Sequence, residues 1–195
     1  NLAVKLPQNS SEKGIQTLKA LGYSALDVSA RLGMKWNEQT SEIVIPEISV
    51  TGVNMGKARL SGTIGNVGRE VFEGDLSTAQ VALMGATAKA VSLQVDNSGL
   101  GEKAFAFQAR SQNRKPDDLR KELGTMAQLG IPAVLGPSDQ AKALAGALSK
   151  FVTTLKSLKI DVTAKNAGGV GLPDIVTVGT PDKALGLVNV AASAD

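Results

Sequence analysis

Leu26, Val28, Ala30, Leu32, Met34 and Trp36 alternate without a break against Asp27, Ser29, Arg31, Gly33 and Lys35. Successive side chains of a strand point to opposite faces, so this stretch predicts a strand with one buried face and one wet face. A polar turn, Asn37 to Ser41, leads to a second run carrying Ile43 and Ile45, then Ile48 and Val50. The phase slips by one residue across Pro46-Glu47, as in a β-bulge, and the proline moves this part of the strand toward an edge. After a turn over Thr51 to Gly56, Ala58, Leu60, Gly62 and Ile64 alternate with Lys57, Arg59, Ser61 and Thr63. Three such runs in succession predict an antiparallel meander.

The flanks add helices and later strands. Leu2, Val4 and Leu6 alternate before Pro7, and Ile15, Leu18 and Leu21 then recur at helical spacing, with Ser10 or Ser11 as N-cap and Gly22 as terminator. Glycine-rich chain from Gly65 to Gly74 leads into a helix over about Asp75 to Met84. A fourth strand places Val91, Leu93 and Val95 on one side. Ser98 is positioned to cap a helix bearing Leu100, Ala104 and Phe107. A further helix starts at Pro116, a favoured first helical position, with Leu119, Leu123 and Met126 on one face. Another starts at Ser138 and carries Ala141, Leu144, Ala145, Leu148, Phe151, Val152 and Leu155. Leu158, Ile160, Val162 and Ala164 predict a fifth strand. A glycine-rich loop over Gly168 to Gly171, a short helix around Pro181 to Leu187 and a closing strand over Val188 to Ala192 complete the chain.

The fold class that follows is α+β: an antiparallel β-sheet, a three-stranded meander plus two to three later strands, with helices packed on one face. One domain over 1–195 is expected, with a meander half to about residue 97 and a helical half with closing strands from about 98. The start at Asn1 without Met suggests a piece of a longer chain, with any leader or anchor upstream. Leu26-Asp-Val-Ser-Ala-Arg31 and Ile160-Asp-Val-Thr-Ala-Lys165 match in type at every position. Two amphipathic strands look alike for that reason alone; a two-part fold with one such strand in each half is the alternative.

Composition narrows the chemistry. The chain has 195 residues, 43% of them hydrophobic and 20% charged, which is globular, but aromatics make up only 3%. The interior must therefore be aliphatic. There is no histidine and no cysteine. Imidazole-assisted serine or cysteine catalysis, thiolate chemistry, the usual zinc sites and disulfides are excluded together. The net charge of +3 and pI near 9.2 give weak attraction to anionic surfaces. No apolar run approaches the length of a membrane span.

Few residues qualify as a site. Gly52-Val-Asn-Met-Gly56-Lys57 fails as a phosphate loop, since its glycines are one residue too close and Ala58 stands where Ser or Thr should. It reads as a hairpin turn. Gly62, Gly65 and Gly68 have the wrong spacing for a dinucleotide fingerprint. Glu70, Glu73 and Asp75, or Asp117 and Asp118, are the carboxylate groups a hydrolase or a hard-cation site would use, although acidic residues in a first helical turn also complement the helix dipole. Arg110, Arg114, Lys115, Arg120 and Lys121 form the densest basic region, without the interleaved aromatics of a nucleic-acid site. A solvated helix junction is expected there, with an anionic lipid or protein surface as the alternative. Asn9-Ser-Ser11 fits the glycosylation pattern. Trp36 is expected in the core, with the rim of a groove as the alternative. No catalytic, cofactor-binding or metal-binding residue is assigned, and no cofactor is expected.

Leu21-Gly-Tyr-Ser-Ala-Leu-Asp-Val, Lys35-Trp-Asn-Glu, Ile48-Ser-Val-x-Gly-Val-Asn-Met-Gly and Leu60-Ser-Gly-Thr-Ile-Gly-Asn-Val resemble uncharacterised envelope proteins of proteobacteria. The stretch from Val91-Ser-Leu-Gln-Val through Phe151 is similar in arrangement. Where those proteins have a Pro-rich stretch, this chain has Asn166-Ala-Gly-Gly-Val-Gly-Leu-Pro173. The resemblance implies a periplasmic or envelope-associated location and carries no catalytic residue. The function expected is that of a non-enzymatic domain binding an apolar or lipid-like ligand, or a protein partner. The alternatives are a structural module without a ligand cavity and a hydrolase using carboxylates alone.

Overall fold

The alternating runs form strands of one sheet. In the computed structural model, which describes residues 2–195, these are β1 (Leu2–Lys5), β2 (Ala25–Asn37), β3 (Glu42–Gly52), β4 (Gly56–Gly65), β5 (Thr87–Asn97), β6 (Ser157–Ala164), β7 (Val170–Gly171) and β8 (Val188–Ala194). The helices are α1 (Lys13–Ala20), α2 (Glu70–Glu73), α3 (Leu76–Met84), α4 (Leu100–Ser111), α5 (Pro116–Leu135), α6 (Asp139–Thr154), α7 (Leu172–Val178) and α8 (Pro181–Leu185). The sheet order is β1-β2-β3-β4-β5-β6-β8, all antiparallel, with β7 paired to the start of β5. The fold is α+β, and the sheet runs through both halves of the chain.

Register fixes two chemically distinct faces. Ala30, Val50, Ala58, Val95, Leu158 and Ala194 pair across six strands, and Leu32, Ile48, Leu60, Leu93, Ile160 and Ala192 form the next row on the same face. Between them, on the other face, runs Arg31, Ser49, Arg59, Gln94, Lys159 and Ser193. The bulge expected at Pro46-Glu47 is present: two residues of β3 oppose one on each neighbour, which restores Ile45 and Ile43 to the apolar face. A second bulge, at Lys89 of β5, frees that side chain to reach Glu42 at 2.7 Å across β4. Gly65 lies under the crossing, where a Cβ would stand 2.5 Å from Lys89 Cε.

The strand resembling β2 in sequence, β6, has its apolar residues on the same face and runs in the same direction, four strands away. The two do not pair.

Several local expectations need correction. Helix α1 is preceded by Glu12 rather than capped by Ser10 or Ser11; Ser10 Oγ accepts from the Glu12 amide instead. Gly99, at φ 122°, opens α4 in place of Ser98, and the capping is done by Asn97, whose Oδ1 accepts from the Gly101 amide at 2.8 Å. The glycine-rich loop at 168–171 pairs as β7 and is followed by a helix, α7, that periodicity alone does not reveal. Asp174 accepts from the Gly171 amide and closes the N-terminus of α7.

The largest correction concerns the meander's apolar face, expected to be buried. Helix α6 rests on β6 and β8, and Gln140 Oε1 accepts from the outward Val190 amide at 2.6 Å, covering that sheet edge. Helices α5 and α6 approach closely through Gly124, Ala141, Ala145 and Ser149, all buried. The helices thus gather over one side of the face. Leu158 there is 5% exposed, while Leu32 of β2, on the adjoining row, is 74% exposed.

Candidate functional site

The uncovered part of the apolar face is the most distinctive surface of the molecule. Met34, Leu32, Val50 and Leu60 stand exposed on β2, β3 and β4, and Val91 of β5 joins them. Among the described residues, more large apolar side chains are exposed than are buried, and four of the eleven buried hydrophobic residues are alanines. The solvent-accessible area is 12012 Å². A compact monomer of this mass exposes roughly 8,700 Å². The excess of about 3,300 Å² exceeds the roughly 800 Å² per partner of an ordinary protein interface, and the exposed apolar side chains of the sheet face contribute to it together with those of α3, α5 and α7.

At the Gly52–Gly56 end, the open face runs under the helices into a pocket of about 380 Å³. Val28, Val50, Ala58 and Val95 form its floor, and Met55, Leu100 and Phe151 close it from above. That volume lies in the range of small-ligand sites, and the lining is almost wholly aliphatic. The surrounding backbone is pinned by hydrogen bonds. Asn97 Nδ2 donates to Leu155 O and to Glu102 Oε2, both at 2.8 Å, and its amide donates to Lys156 O. The Ser98 and Leu100 amides both donate to Met55 O, which ties the hairpin turn to α4. Leu155 adopts the left-handed conformation, φ 54°, to end α6 where β6 begins. Nearby, the buried Tyr23 donates its hydroxyl to Asn54 O, and Lys103 Nζ stands 3.5 Å above its ring. Burial pushes the Tyr23 phenol up, and the Glu102 carboxylate adds to the rise.

A second apolar recess, about 550 Å³, lies at the other end of the same face. Val162, Val188 and Val190 form its floor, with Leu135, Ile175 and Leu185 around it.

The residues singled out from sequence fall elsewhere. Trp36 is half-buried at the end of β2, with its Nε1 donating to Val67 O at 2.9 Å and its ring 4.7 Å from that of Phe72. It is thus only half-buried and not a full core residue, and the open face begins one step inward, at Met34. Gly52 to Gly56 is a hairpin turn closed by the Met55 amide on Gly52 O.

Asp75 caps α3. Its Oδ1 accepts from the Thr78 amide and the Ser77 hydroxyl, both at 2.7 Å, which lowers its carboxyl to about 2. Arg69 pairs with Glu38 and Glu73. Asp117 pairs with Arg120, whose guanidinium holds that carboxyl low, and Asp118 is exposed beside it. No three carboxylates converge as metal ligands among the described residues. Arg114 pairs with Glu122 at the α4–α5 junction, while Arg110, Lys115 and Lys121 stand in solvent.

Sequence reasoning missed Asn97, Met55 and Phe151 as determinants of the pocket. An Asn directly before a helix start is the one signal that pointed to the first. Among the described residues, no helix is long and apolar enough to cross a membrane.

Compared with known proteins, no curated protein and no solved structure matches the chain. A family model described as "Uncharacterized protein" matches residues 49–195, from the second half of β3 to the C-terminal residue. That match covers most of the chain, and the protein belongs to this family of uncharacterized proteins.

Proposed function

We propose that this chain is a non-enzymatic, envelope-associated domain that binds an apolar or lipid-like ligand along the open face of its sheet. One observation carries the reading: aliphatic rows on β2–β5 lie uncovered and continue into an aliphatic pocket beneath Leu100 and Phe151. Water against such a face is unfavourable by about 25 cal/mol for each Å² of apolar area. A flexible acyl chain satisfies the pocket because it needs no hydrogen-bond partner inside. Of the carboxylates a hydrolase would draw on, Asp75 is used in a helix cap and Glu73 and Asp117 in exposed ion pairs. The periplasmic or envelope location rests on the resemblance of the β2–β4 motifs, and fractionation of the host against a periplasmic marker tests it separately.

The ligand reading is tested by native mass spectrometry of the chain as purified, with displacement of a fluorescent long-chain fatty acid. A bound or displaceable chain that is lost in Ala58→Phe, which fills the pocket floor, is the expected result. If wild type and variant both fail to take up the probe, the ligand reading is wrong.

A second reading, a protein-interaction module, is favoured by one feature. Among the described residues, β1 pairs with Ala25–Val28 and no strand pairs with the outer side of β2 beyond Val28. An exposed strand edge accepts a further strand through its free amides and carbonyls. Co-purification of a partner peptide whose binding is abolished by Leu32→Pro distinguishes this reading from the first.

A further inference from the structure

The outer edge of β2 carries an arrangement that ligand binding on the apolar face does not use. Ser24 O accepts from the Leu6 amide, on the β1 side, and Asp27 O accepts from the Val53 amide, on the β3 side. Backbone groups of successive residues in an antiparallel strand alternate in direction, so the even-numbered residues of β2 aim theirs outward. At Leu26 and Val28 these groups face β1; at Ala30, Leu32 and Met34 no described strand meets them. The stretch is exposed on both faces as well as at its edge, with Leu32 at 74%, Met34 at 58% and both Arg31 and Lys35 in solvent.

Arg31 and Lys35 share the polar face of the sheet, four residues and about 14 Å apart along the strand. Arg31 lies opposite Ser49 and Lys35 opposite Val44, so β3 offers neither of them a carboxylate. Among the described residues neither takes part in an ion pair, whereas Lys57 of β4, Lys89 of β5 and Lys159 of β6 pair with Glu47, Glu42 and Asp161. The cations inside the sheet are matched, and those on its open edge are not.

We infer that this edge takes up an extended acidic peptide, with carboxylates opposite Arg31 and Lys35 and apolar side chains beside Leu32 and Met34. The inference rests on the interaction-module reading and names the chemistry of the partner; it does not depend on the ligand reading. The motif is acidic, apolar, any residue, apolar, acidic, and it is the same in either strand direction. Three constraints select this occupant. The outward amides and carbonyls are hydrated at an open edge, and against an acyl chain or a bilayer interior they would lose those hydrogen bonds. A second copy would pair β2 with β2 across a twofold axis. Every antiparallel register centred between Arg31 and Lys35 then sets two of these cations opposite or diagonal to each other, which is unfavourable. The same charges guard the edge against self-association, and an acidic strand converts them into cross-strand ion pairs.

The test uses the full chain and three dye-labelled peptides: Thr-Glu-Val-Thr-Val-Glu-Thr and its analogues with Gln or with Lys in place of both Glu. Anisotropy measures binding, and amide NMR shifts at Ala30, Leu32 and Met34 locate it. The Glu peptide is expected to bind about fivefold more tightly than the Gln peptide, through two exposed cross-strand pairs, and the Lys peptide more weakly than either. High salt should narrow the difference. Arg31→Glu combined with Lys35→Glu should invert the order, so that the Lys peptide binds best; a gain of binding cannot come from misfolding. Equal binding of the Glu and Gln peptides at the β2 amides overturns the acidic preference and leaves the strand-edge reading standing. Absence of binding by all three overturns both. An order that charge reversal does not invert, or shifts confined to residues outside the β2 edge, overturns the inference. Self-association that Leu32→Pro abolishes assigns the edge to a second copy and overturns it too.

Discussion

Two leucines on adjoining rows of one sheet face test whether that face is open. Leu158 of β6 lies beneath α6 and is 5% exposed; Leu32 of β2 is 74% exposed. Truncating a buried leucine to alanine removes its transfer free energy and leaves a cavity, so Leu158→Ala should cost about 3 kcal/mol. Leu32 has about a quarter of its side chain covered, and full burial of a leucine is worth about 2 kcal/mol. Leu32→Ala should then cost about 0.5 kcal/mol. With a urea m-value of about 2 kcal/mol/M, the midpoints should fall by about 1.5 M and about 0.25 M respectively. Urea unfolding followed by Trp36 fluorescence and by far-ultraviolet circular dichroism measures both, and coincidence of the two probes checks two-state behaviour. Equal losses for the two variants would mean that Leu32 is covered in solution, and the open-face argument would fail.

Three further expectations follow from the sites around the face. Asn97→Ala removes the side chain that joins β5 to the start of α4 and the end of α6, and leaves the Leu155 carbonyl without that donor; a loss of about 1–3 kcal/mol is expected in the same urea assay. Gly56→Ala places a Cβ 2.2 Å from Asp96 O at φ 137°, so it should destabilise by more than the roughly 1 kcal/mol of an ordinary glycine replacement, seen as a lowered thermal midpoint. Asp75 has its carboxyl lowered from 3.8 to about 2 by the Thr78 amide and Ser77 hydroxyl. A lowered folded-state value means that the cap's contribution is fully present above about pH 4 and is lost as pH falls through about 2. Protection factors of the amides at the start of α3 should fall over that window in wild type and stay constant in Asp75→Asn.

Much of the sheet was legible in the chain because alternation encodes which side chains share a face. The rows through Leu32 and Val50, the bulge at Pro46 and the late strand at Ile160 all follow from period and phase. Alternation does not encode what covers a face. Leu32 and Leu158 have the same periodic surroundings in sequence and opposite environments, because α6 reaches β6 and β8 and not β2. Helix α7 escaped notice because its seven residues span less than two turns and are rich in β-branched Ile175, Val176, Thr177 and Val178. The pocket was invisible for a related reason: Asn97, Met55 and Phe151 are far apart in the chain and meet only when β5, the hairpin turn and α6 are assembled.

The central claim is that the apolar rows of β2–β5 form an open acyl-binding face. A methyl-resolved NMR titration of the full chain with a long-chain fatty acid tests it most directly. The methyl signals of Leu32, Val50, Leu60, Val95 and Leu100 should move together and saturate, while those of the buried Val67 and Leu119 stay in place. Signals on the sheet face that do not move, or shifts confined to the outer surfaces of the helices, would contradict it.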